Sequence, residues 1–247
     1  MKQLKEQHNT EIRKKKLEKM KKKKVFYTEI SYILGLVIMA FAAAFTEKAN
    51  FGMSMVVAPA YILHLKVSEF LPWFTFGVAE YVFQGLLIII TVLIMRKFKI
   101  SYLFSFVTAV IYGTLLDGAM ALISTLPENT FVIRILWYIL GTVLCSFAVS
   151  LFFHTYLSPE AYELIVKEIA QKFNFNINKV KTSYDCISVV LGIIMSFAFF
   201  GFGVFKGVGV GTVFCALING FLIGRFSKLL EKHFDFKNKF SIQKYFE

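Results

Sequence analysis

The chain alternates between long apolar stretches and short gaps that hold charged residues, glycine or proline. A helix needs about 20 residues to cross the hydrocarbon core of a bilayer. Six stretches reach that length, so we expect six transmembrane helices. They lie at residues 27–46, 71–95, 101–124, 132–156, 183–205 and 208–230. The glycine-rich start of the last one is open to two interpretations, a loop or an unwound turn that neighbouring protein shields from lipid.

Two connections between these helices carry a pattern of their own. Residues 51–66 are mostly apolar but are interrupted by Gly52 and Pro59, and they are too few to span a bilayer. They predict a re-entrant hairpin or an in-plane helix on the outer side. Residues 158–173 open with a Ser-Pro helix start, and their apolar positions recur at helical spacing. They predict an amphipathic helix on the cytoplasmic surface.

One apolar string occurs twice. Residues 32–45, YILGLVIMAFAAAF, recur at 138–151 as YILGTVLCSFAVSL, with seven of fourteen positions identical. The flanking segments also align, and the second long helix of each half sets Glu80 beside Asp185. Each half then has a long helix, a short helix and two more long helices. This order indicates an internal duplication.

A unit with three crossings must enter the membrane from opposite sides in its two copies. Such a duplication predicts an inverted repeat, related by a pseudo-two-fold axis in the membrane plane. We predict an all-α membrane protein of six transmembrane helices in two inverted three-helix repeats, each with a short re-entrant or interfacial helix after its first span. The expected divisions are a basic cytoplasmic arm at 1–26, repeats at 27–130 and 131–230, and a cytoplasmic tail at 231–247.

Composition and charge agree with a membrane location. Hydrophobic residues make up 57% of the 247-residue chain, more than one soluble core requires. The basic residues behind the net charge of +12 lie in the tails and in the gaps between apolar runs. Their distribution predicts a multi-pass cell-membrane protein with both termini in the cytoplasm. We expect the arm to meet anionic lipid head groups, and no nucleic-acid partner, since no aromatic-and-basic surface motif accompanies the lysines.

Polar side chains inside the apolar stretches are the candidate cavity residues, because such groups are costly in lipid. Asp117 has no basic residue within a helical turn, which fits either a coupling-ion site or a hydrogen bond to a helix end. Glu80 and Asp185 fit either the same cavity or solvation near the interface. Gln84 and Asn219 fit either the cavity or hydrogen bonds between helices.

The glycine-rich run at 203–212 superficially resembles a phosphate-binding loop, but it lacks the preceding strand and the closing Lys-Ser/Thr pair. Tight packing and an unwound, gating segment are the alternatives we retain for it. The predicted gating or helix-breaking residues are Gly52, Pro59, Gly207, Gly209 and Gly211. The three cysteines and four histidines form no metal-binding spacing, and no nucleophile motif is present. We expect no metal, no cofactor and no enzymatic activity.

Four pieces of the sequence resemble the YczE/YyaS/YitT group of bacterial membrane proteins. They are ANFGMSMVVAP after the first helix, YGTLLDG in the third, KVKTSYD before the fifth, and GVGVGTVFCALINGFLIG near the end. The resemblance covers about residues 28–230 and implies a multi-pass bacterial inner-membrane protein without implying a particular activity. Ala60 and Tyr61 depart from the tryptophan and acidic residue that are frequent in the group. The YczE-like branch fits best, because no long soluble C-terminal domain follows.

Together these features predict a small secondary transporter or exporter of an unidentified small molecule, working by alternating access between inverted repeats. Its cavity would lie between the repeats. The alternative is a non-transport membrane scaffold or accessory factor for an enzyme or partner protein, with the basic arm or tail as its docking surface.

Overall fold

The computed structural model describes residues 23–127, 130–157 and 160–239, apart from the side chains of residues 177 and 178. Most of the predicted arm and the end of the predicted tail lie outside this part. The described residues form eight helices and two short strands, numbered in chain order. The helices are α1 Thr28–Ala49, α2 Ala58–Val67, α3 Phe76–Met95, α4 Ile100–Ser124, α5 Phe131–Phe152, α6 Ala161–Phe173, α7 Ile177–Phe200 and α8 Val210–His233; the strands are β1 Lys24–Tyr27 and β2 Phe234–Lys237.

Six of these helices are long and apolar enough to cross a membrane, which confirms the predicted number of spans. They are α1, α3, α4, α5, α7 and α8. Three starts differ from prediction by two residues or more, among them that of α7, which begins at Ile177 and not at residue 183. α3 begins only at Phe76, where the Thr75 hydroxyl accepts the amide hydrogen of Val78 at 3.2 Å and caps the helix. α8 begins at Val210 because the glycine-rich run before it forms a loop that contains left-handed residues such as Gly207 (φ 75°).

Helices α1 and α5 pack together as an antiparallel pair at the centre of the molecule. The Ser31 hydroxyl donates to the carbonyl oxygen of Leu151 at 3.0 Å near one end of the pair. Arg134 Nε donates to the carbonyl oxygen of Ala49 at 2.9 Å near the other end. The long antiparallel contact sets the positions of the helices around it.

Two close contacts in this pair mirror each other. A Cβ atom on Gly35 would lie 2.6 Å from the Phe152 ring, and one on Gly141 would lie 2.7 Å from Thr46 Cγ2. Gly141 follows Gly35 by 106 residues, and Phe152 follows Thr46 by the same number. The repeated glycines of the sequence are therefore the points of closest helix approach, as is common where membrane helices meet.

The remaining helices surround this pair in a matching order. α4 packs on α1 as α8 packs on α5, and α2 packs on α7 and α3 as α6 packs on α3 and α7. The order breaks at one place. α3 and α4 pack closely where Gly77 faces Gly113, whereas α7 and α8 have no such packing between them.

Each short helix packs along half of a long one, α2 on α7 and α6 on α3. The short helix begins beside the middle of the long helix and runs toward one end of it. For α2, a Cβ on Gly192 of α7 would lie 3.8 Å from the Cβ of Ala58, and Lys66 lies over the Phe200 ring. For α6, the amide nitrogen of Ala161 donates to Gln84 in the middle of α3. The burial of α6 exceeds that of the single predicted apolar face, because α3, α4 and α7 all pack on it.

The strands β1 and β2 pair in parallel, with Phe26 opposite Phe236. The rings of Phe26 and Phe234 lie 5.3 Å apart, centroid to centroid. The pairing joins the segment before α1 to the segment after α8, so both ends of the membrane region lie on the same side of the molecule. Residues 24–26 were predicted to belong to the arm, Tyr27 to the first helix and residues 234–237 to the tail. The strands were not predicted, because four-residue strands give too short a pattern to recognise.

Candidate functional site

A buried group of polar side chains joins α3 to the start of α6. Gln84 Nε2 donates to Glu80 Oε2 and to Glu160 Oε2, at 3.3 Å in each case. Gln84 Oε1 accepts the amide hydrogen of Ala161 at 3.1 Å, which fixes the orientation of the side-chain amide. The Tyr162 hydroxyl donates to Glu80 Oε2 at 2.8 Å. We call Glu80, Gln84, Glu160 and Tyr162 the carboxylate cluster.

The carboxylate cluster is not fully satisfied. Glu80 and Gln84 have no exposed surface, and Glu160 is buried. Among the described residues, Glu80 Oε1 and Glu160 Oε1 are buried without a hydrogen-bond partner. Leaving a buried carboxylate oxygen unpaired is costly, and two ionised carboxylates beside one amide group repel each other. This arrangement is therefore suited to binding a proton or a small cation.

Glu160, just before α6, has the electrostatics expected of such a site. Burial, followed by repulsion from Glu80 and Glu163, raises the pKa of the Glu160 carboxyl well above its usual range. Burial and the charge of Glu80 likewise raise the pKa of the Tyr162 hydroxyl, so it remains a hydrogen-bond donor. Glu160 was not among the residues predicted from the sequence. The only sequence feature that could have indicated a role for Glu160 is its position directly after a Ser-Pro helix start. Ordinary helix starts have the same pattern.

Asp185 lies on α7 next to the carboxylate cluster but has a basic partner. Lys181 Nζ lies 3.2 Å from Asp185 Oδ1 and 2.9 Å from Glu163 Oε1 of α6. Tyr184, on the same helix, packs against the apolar side chains that surround Tyr162. The two acidic residues that the repeat alignment pairs, Glu80 and Asp185, thus have different surroundings, one without a cation and one with it.

Two other predicted cavity residues form hydrogen bonds between helices. Asp117 accepts the amide hydrogen of Gly77 at 2.8 Å and the Thr75 hydroxyl at 2.5 Å, which ties α4 to the start of α3. Asn219 accepts the Ser146 hydroxyl at 2.7 Å and links α8 to α5. These contacts match the structural alternative for each residue, and neither joins the carboxylate cluster.

The predicted gating glycines lie where two backbone segments touch. The amide of Met53 donates to the carbonyl oxygen of Gly207 at 2.9 Å, and the amide of Gly211 donates to that of Phe51 at 2.8 Å. Gly52 has φ 104°, and a Cβ atom there would lie 2.5 Å from the backbone nitrogen of Gly209. Only glycine allows this approach at the left-handed position.

Pro59, the remaining predicted helix breaker, lies in the first turn of α2, where a missing amide hydrogen costs nothing. Its ring is buried, with less than 2% of its surface exposed. The residue therefore marks the start of the short helix and packs into the interior.

Two neighbouring cavities share part of their lining near the C-terminal half of α1. A central cavity of about 20 Å³, enough for one water molecule, lies beside the α1–α5 pair. An open vestibule of about 540 Å³ lies between the end of α1, α2 and the glycine loop before α8. Thr46 and Met53 line both of them. These two residues therefore separate the vestibule from the central cavity.

The central cavity lies near the carboxylate cluster, although no residue of the cluster lines it. Val57 lines the cavity, and its neighbour Val56 packs against the apolar side chains around Tyr162. Tyr112 also lines the cavity, and its buried hydroxyl has no hydrogen-bond partner among the described residues. Within the part of the chain that the structure describes, no three His, Cys, Asp or Glu side chains come together to form a metal site of those residue types alone.

The fold is that of a multi-pass membrane protein with six spans and two short internal helices. The chain belongs to a family described as a family of unknown function, DUF6198, whose model matches residues 26–228. It is similar to the "Uncharacterized protein YyaS" of Bacillus subtilis strain 168, with 24% identity over 213 residues that cover 84% of this chain and 96% of that protein. No solved structure matches it.

Proposed function

We propose that the protein is a secondary transporter of the cell membrane, in which two inverted repeats expose a central site alternately to either side. The observation that carries the proposal is the unsatisfied carboxylate cluster beside a central cavity at the α1–α5 contact. Secondary transporters place their coupling and substrate sites at this position, near the midplane between repeats.

The antiparallel packing of α1 and α5 supports the inverted relation. The Gly35–Phe152 contact has its counterpart in Thr46–Gly141. A second pair of contacts follows the same shift of 106 residues, Ser31 with Leu151 and Phe45 with Trp137. Reciprocal contacts of equivalent residues are expected when a two-fold axis passes between two helices. Since these helices run in opposite directions, that axis lies across them, in the membrane plane.

The short helices support the same arrangement. Both α2 and α6 begin beside the middle of a spanning helix of the other repeat and run to its end. We interpret them as re-entrant half-helices whose N-terminal ends meet near the centre. The positive ends of two helix dipoles would then point toward the central site, as in transporters with broken helices.

The carboxylate cluster supplies the coupling step in this proposal. A proton shared by Glu80 and Glu160 removes the repulsion between them and stabilises the contact of α6 with α3. Loss of the proton weakens that contact and favours movement of one repeat against the other. Asp117 is the less suitable carrier, because both of its carboxylate oxygens already accept hydrogen bonds.

The uneven packing of the repeats defines the state of the transporter. The vestibule adjoins the C-terminal end of α1, opposite the strand pair, and the positive-inside rule places the strand pair in the cytoplasm. The conformation is then outward-open, with α3 and α4 packed and α7 and α8 apart. In the inward-open state, α7 and α8 pack together and α3 and α4 separate.

The proposal also includes membership of the YczE-like branch and contact of the N-terminal arm with anionic lipid head groups.

Two-sided labelling of a cavity residue tests the proposal. Ser54 lines the central cavity, and Ser54→Cys, in a chain with its three native cysteines replaced by serine, retains nearly the same size. A membrane-impermeant thiol reagent should reach this cysteine both in right-side-out spheroplasts and in inverted vesicles. Ile89→Cys, on the lipid-facing surface of α3, is the control that should react from neither side.

Glu80→Gln should change the ratio of outside to inside labelling, since the amide imitates a permanently protonated carboxyl. Labelling of Ser54→Cys from one side only, at every pH and unaffected by Glu80→Gln, would contradict alternating access. It would favour the non-transport scaffold.

A further inference from the structure

Four sulfur-containing side chains line the central cavity. They come from four different segments: Met39 from α1, Met53 from the chain before α2, Cys145 from α5 and Cys215 from α8. Met53 and Cys215 are almost completely buried. The rest of the lining is chiefly small residues of α1 and α5, so the sulfur atoms are its most polarisable groups.

The position of these residues relates them to the repeat. Cys145 follows Met39 by 106 residues, the same shift that relates Gly141 to Gly35. The mirrored contacts of α1 and α5 are centred near these two residues, because Gly35 and Thr46 lie on either side of Met39. Each repeat therefore contributes one sulfur side chain at the pseudo-two-fold position and one from a neighbouring segment.

The ligand set and the volume indicate one class of ion. Thioether and thiolate sulfur are soft ligands that select monovalent copper over hard cations such as Mg²⁺ or Ca²⁺. A site for Zn²⁺ would ordinarily include imidazole or several thiolates, and no histidine lines this cavity. A volume of about 20 Å³ admits a single dehydrated ion and excludes an organic substrate in this conformation. A single positive charge is also the least costly to bury.

We propose that the central cavity binds one monovalent soft metal ion of the Cu(I) and Ag(I) class through Met39, Met53, Cys145 and Cys215. The nearby carboxylate cluster supplies negative charge that favours the bound cation and offsets the positive N-terminal ends of α2 and α6. The inference that this ion is the transported substrate rests on the proposed transport function. The inference that the cavity binds the ion can be tested on the purified protein alone.

The test is a titration of the detergent-purified full chain with Ag(I) under reducing-agent-free, anaerobic conditions, followed by calorimetry. It uses the Cys186→Ser background, because Cys186 is the exposed cysteine on α7. One Ag(I) per chain should bind. Cys145→Ser and Met39→Leu should each weaken binding by about tenfold or more, since even outer-shell changes cost about that much at metal sites. Met120→Leu, a partly buried methionine of α4 outside the cavity, is the matched control and should bind as the background does.

Absence of stoichiometric Ag(I) binding by a background protein that melts cooperatively would overturn the site. Equal binding by the cavity variants and the Met120→Leu control would overturn it as well. The outcome is separable from that of transport, because the two-sided labelling of Ser54→Cys uses no metal. Two-sided labelling without Ag(I) binding would leave a transporter with a different substrate.

Discussion

The hydroxyl of Tyr162 donates a 2.8 Å hydrogen bond to Glu80 Oε2 and so connects the first turn of α6 to α3 inside the protein. Both residues are buried, and the other oxygen of Glu80 has no partner among the described residues. The position of the short helix therefore depends on a carboxyl group whose charge can change. In the proposed transport mechanism, a change in the charge of Glu80 would therefore move α6 relative to α3.

Removal of this hydroxyl should weaken the junction of α6 with α3. Tyr162→Phe is expected to lower the free energy of unfolding by about 1.5–3 kcal/mol, the usual range for a hydrogen bond to a charged group. Thermal melting in detergent measures the loss. Tyr81→Phe is the matched control, because the Tyr81 hydroxyl makes no hydrogen bond to the described residues. An equal effect of the two substitutions would show that the Tyr162 hydroxyl has no special role.

Glu160 should make stability depend on pH. Burial and the charges of Glu80 and Glu163 raise its pKa, while Lys181 opposes the shift. The folded protein therefore keeps this proton at a pH where the unfolded chain has lost it. The resulting stabilisation is complete below the unfolded pKa and disappears as pH rises through the folded pKa.

We expect the melting temperature of Glu160→Gln minus that of the unsubstituted protein to rise as pH increases from about 5 to 8. The same series on Glu69→Gln, at an exposed ion pair with Lys66, should show little change with pH. A constant difference between Glu160→Gln and the unsubstituted protein at all pH values would argue against a retained proton.

Asp117 should prove to be a stabilising residue. Asp117→Asn keeps one acceptor for the Gly77 amide but replaces the oxygen that accepts the Thr75 hydroxyl. We expect a loss of about 1–2 kcal/mol, similar to the loss of a helix cap, with unchanged two-sided labelling of Ser54→Cys. Labelling from only one side in a well-folded Asp117→Asn protein would instead return the coupling role to Asp117.

The close contact of α3 and α4 should tolerate no side chain. A Cβ on Gly113 would lie 2.6 Å from the carbonyl oxygen of Gly77, so Gly113→Ala forces the two helices apart. The expected destabilisation is about 1–3 kcal/mol or more. Gly118→Ala, on the same helix with nothing within 4 Å, should be neutral or slightly stabilising. Similar yields and melting temperatures for the two variants would contradict the close packing.

Much of the fold could be predicted from the sequence, because transmembrane helices require long apolar stretches. The recurring apolar string was also visible, and its Gly35 and Gly141 lie at close contacts between α1 and α5. The carboxylate cluster was visible only in part. Glu80 and Gln84 interrupt an apolar stretch, whereas Glu160 lies in a connection where an acidic residue is unremarkable. Its burial depends on α3, α4 and α7 packing around α6, which no local pattern encodes.

The polar residues within the spans show the same limit. By sequence, Asp117 was the candidate for the coupling ion, and Glu80 was a candidate for the cavity lining or for solvation near the interface. Their difference arises from partners far along the chain. Asp117 meets the free amide groups at the start of α3, and Glu80 meets another carboxylate. Only the packing of the helices decides which of the two remains unsatisfied.

A distance across the vestibule is the most direct measure of alternating access. Leu65 and Val210 both line the vestibule, one near the end of α2 and one at the start of α8. Spin labels at these positions, measured by double electron–electron resonance in lipid nanodiscs, should give two distance populations. The balance between them should change with pH, and Glu80→Gln should enrich one of them. A single distance that neither pH nor Glu80→Gln alters would contradict the account.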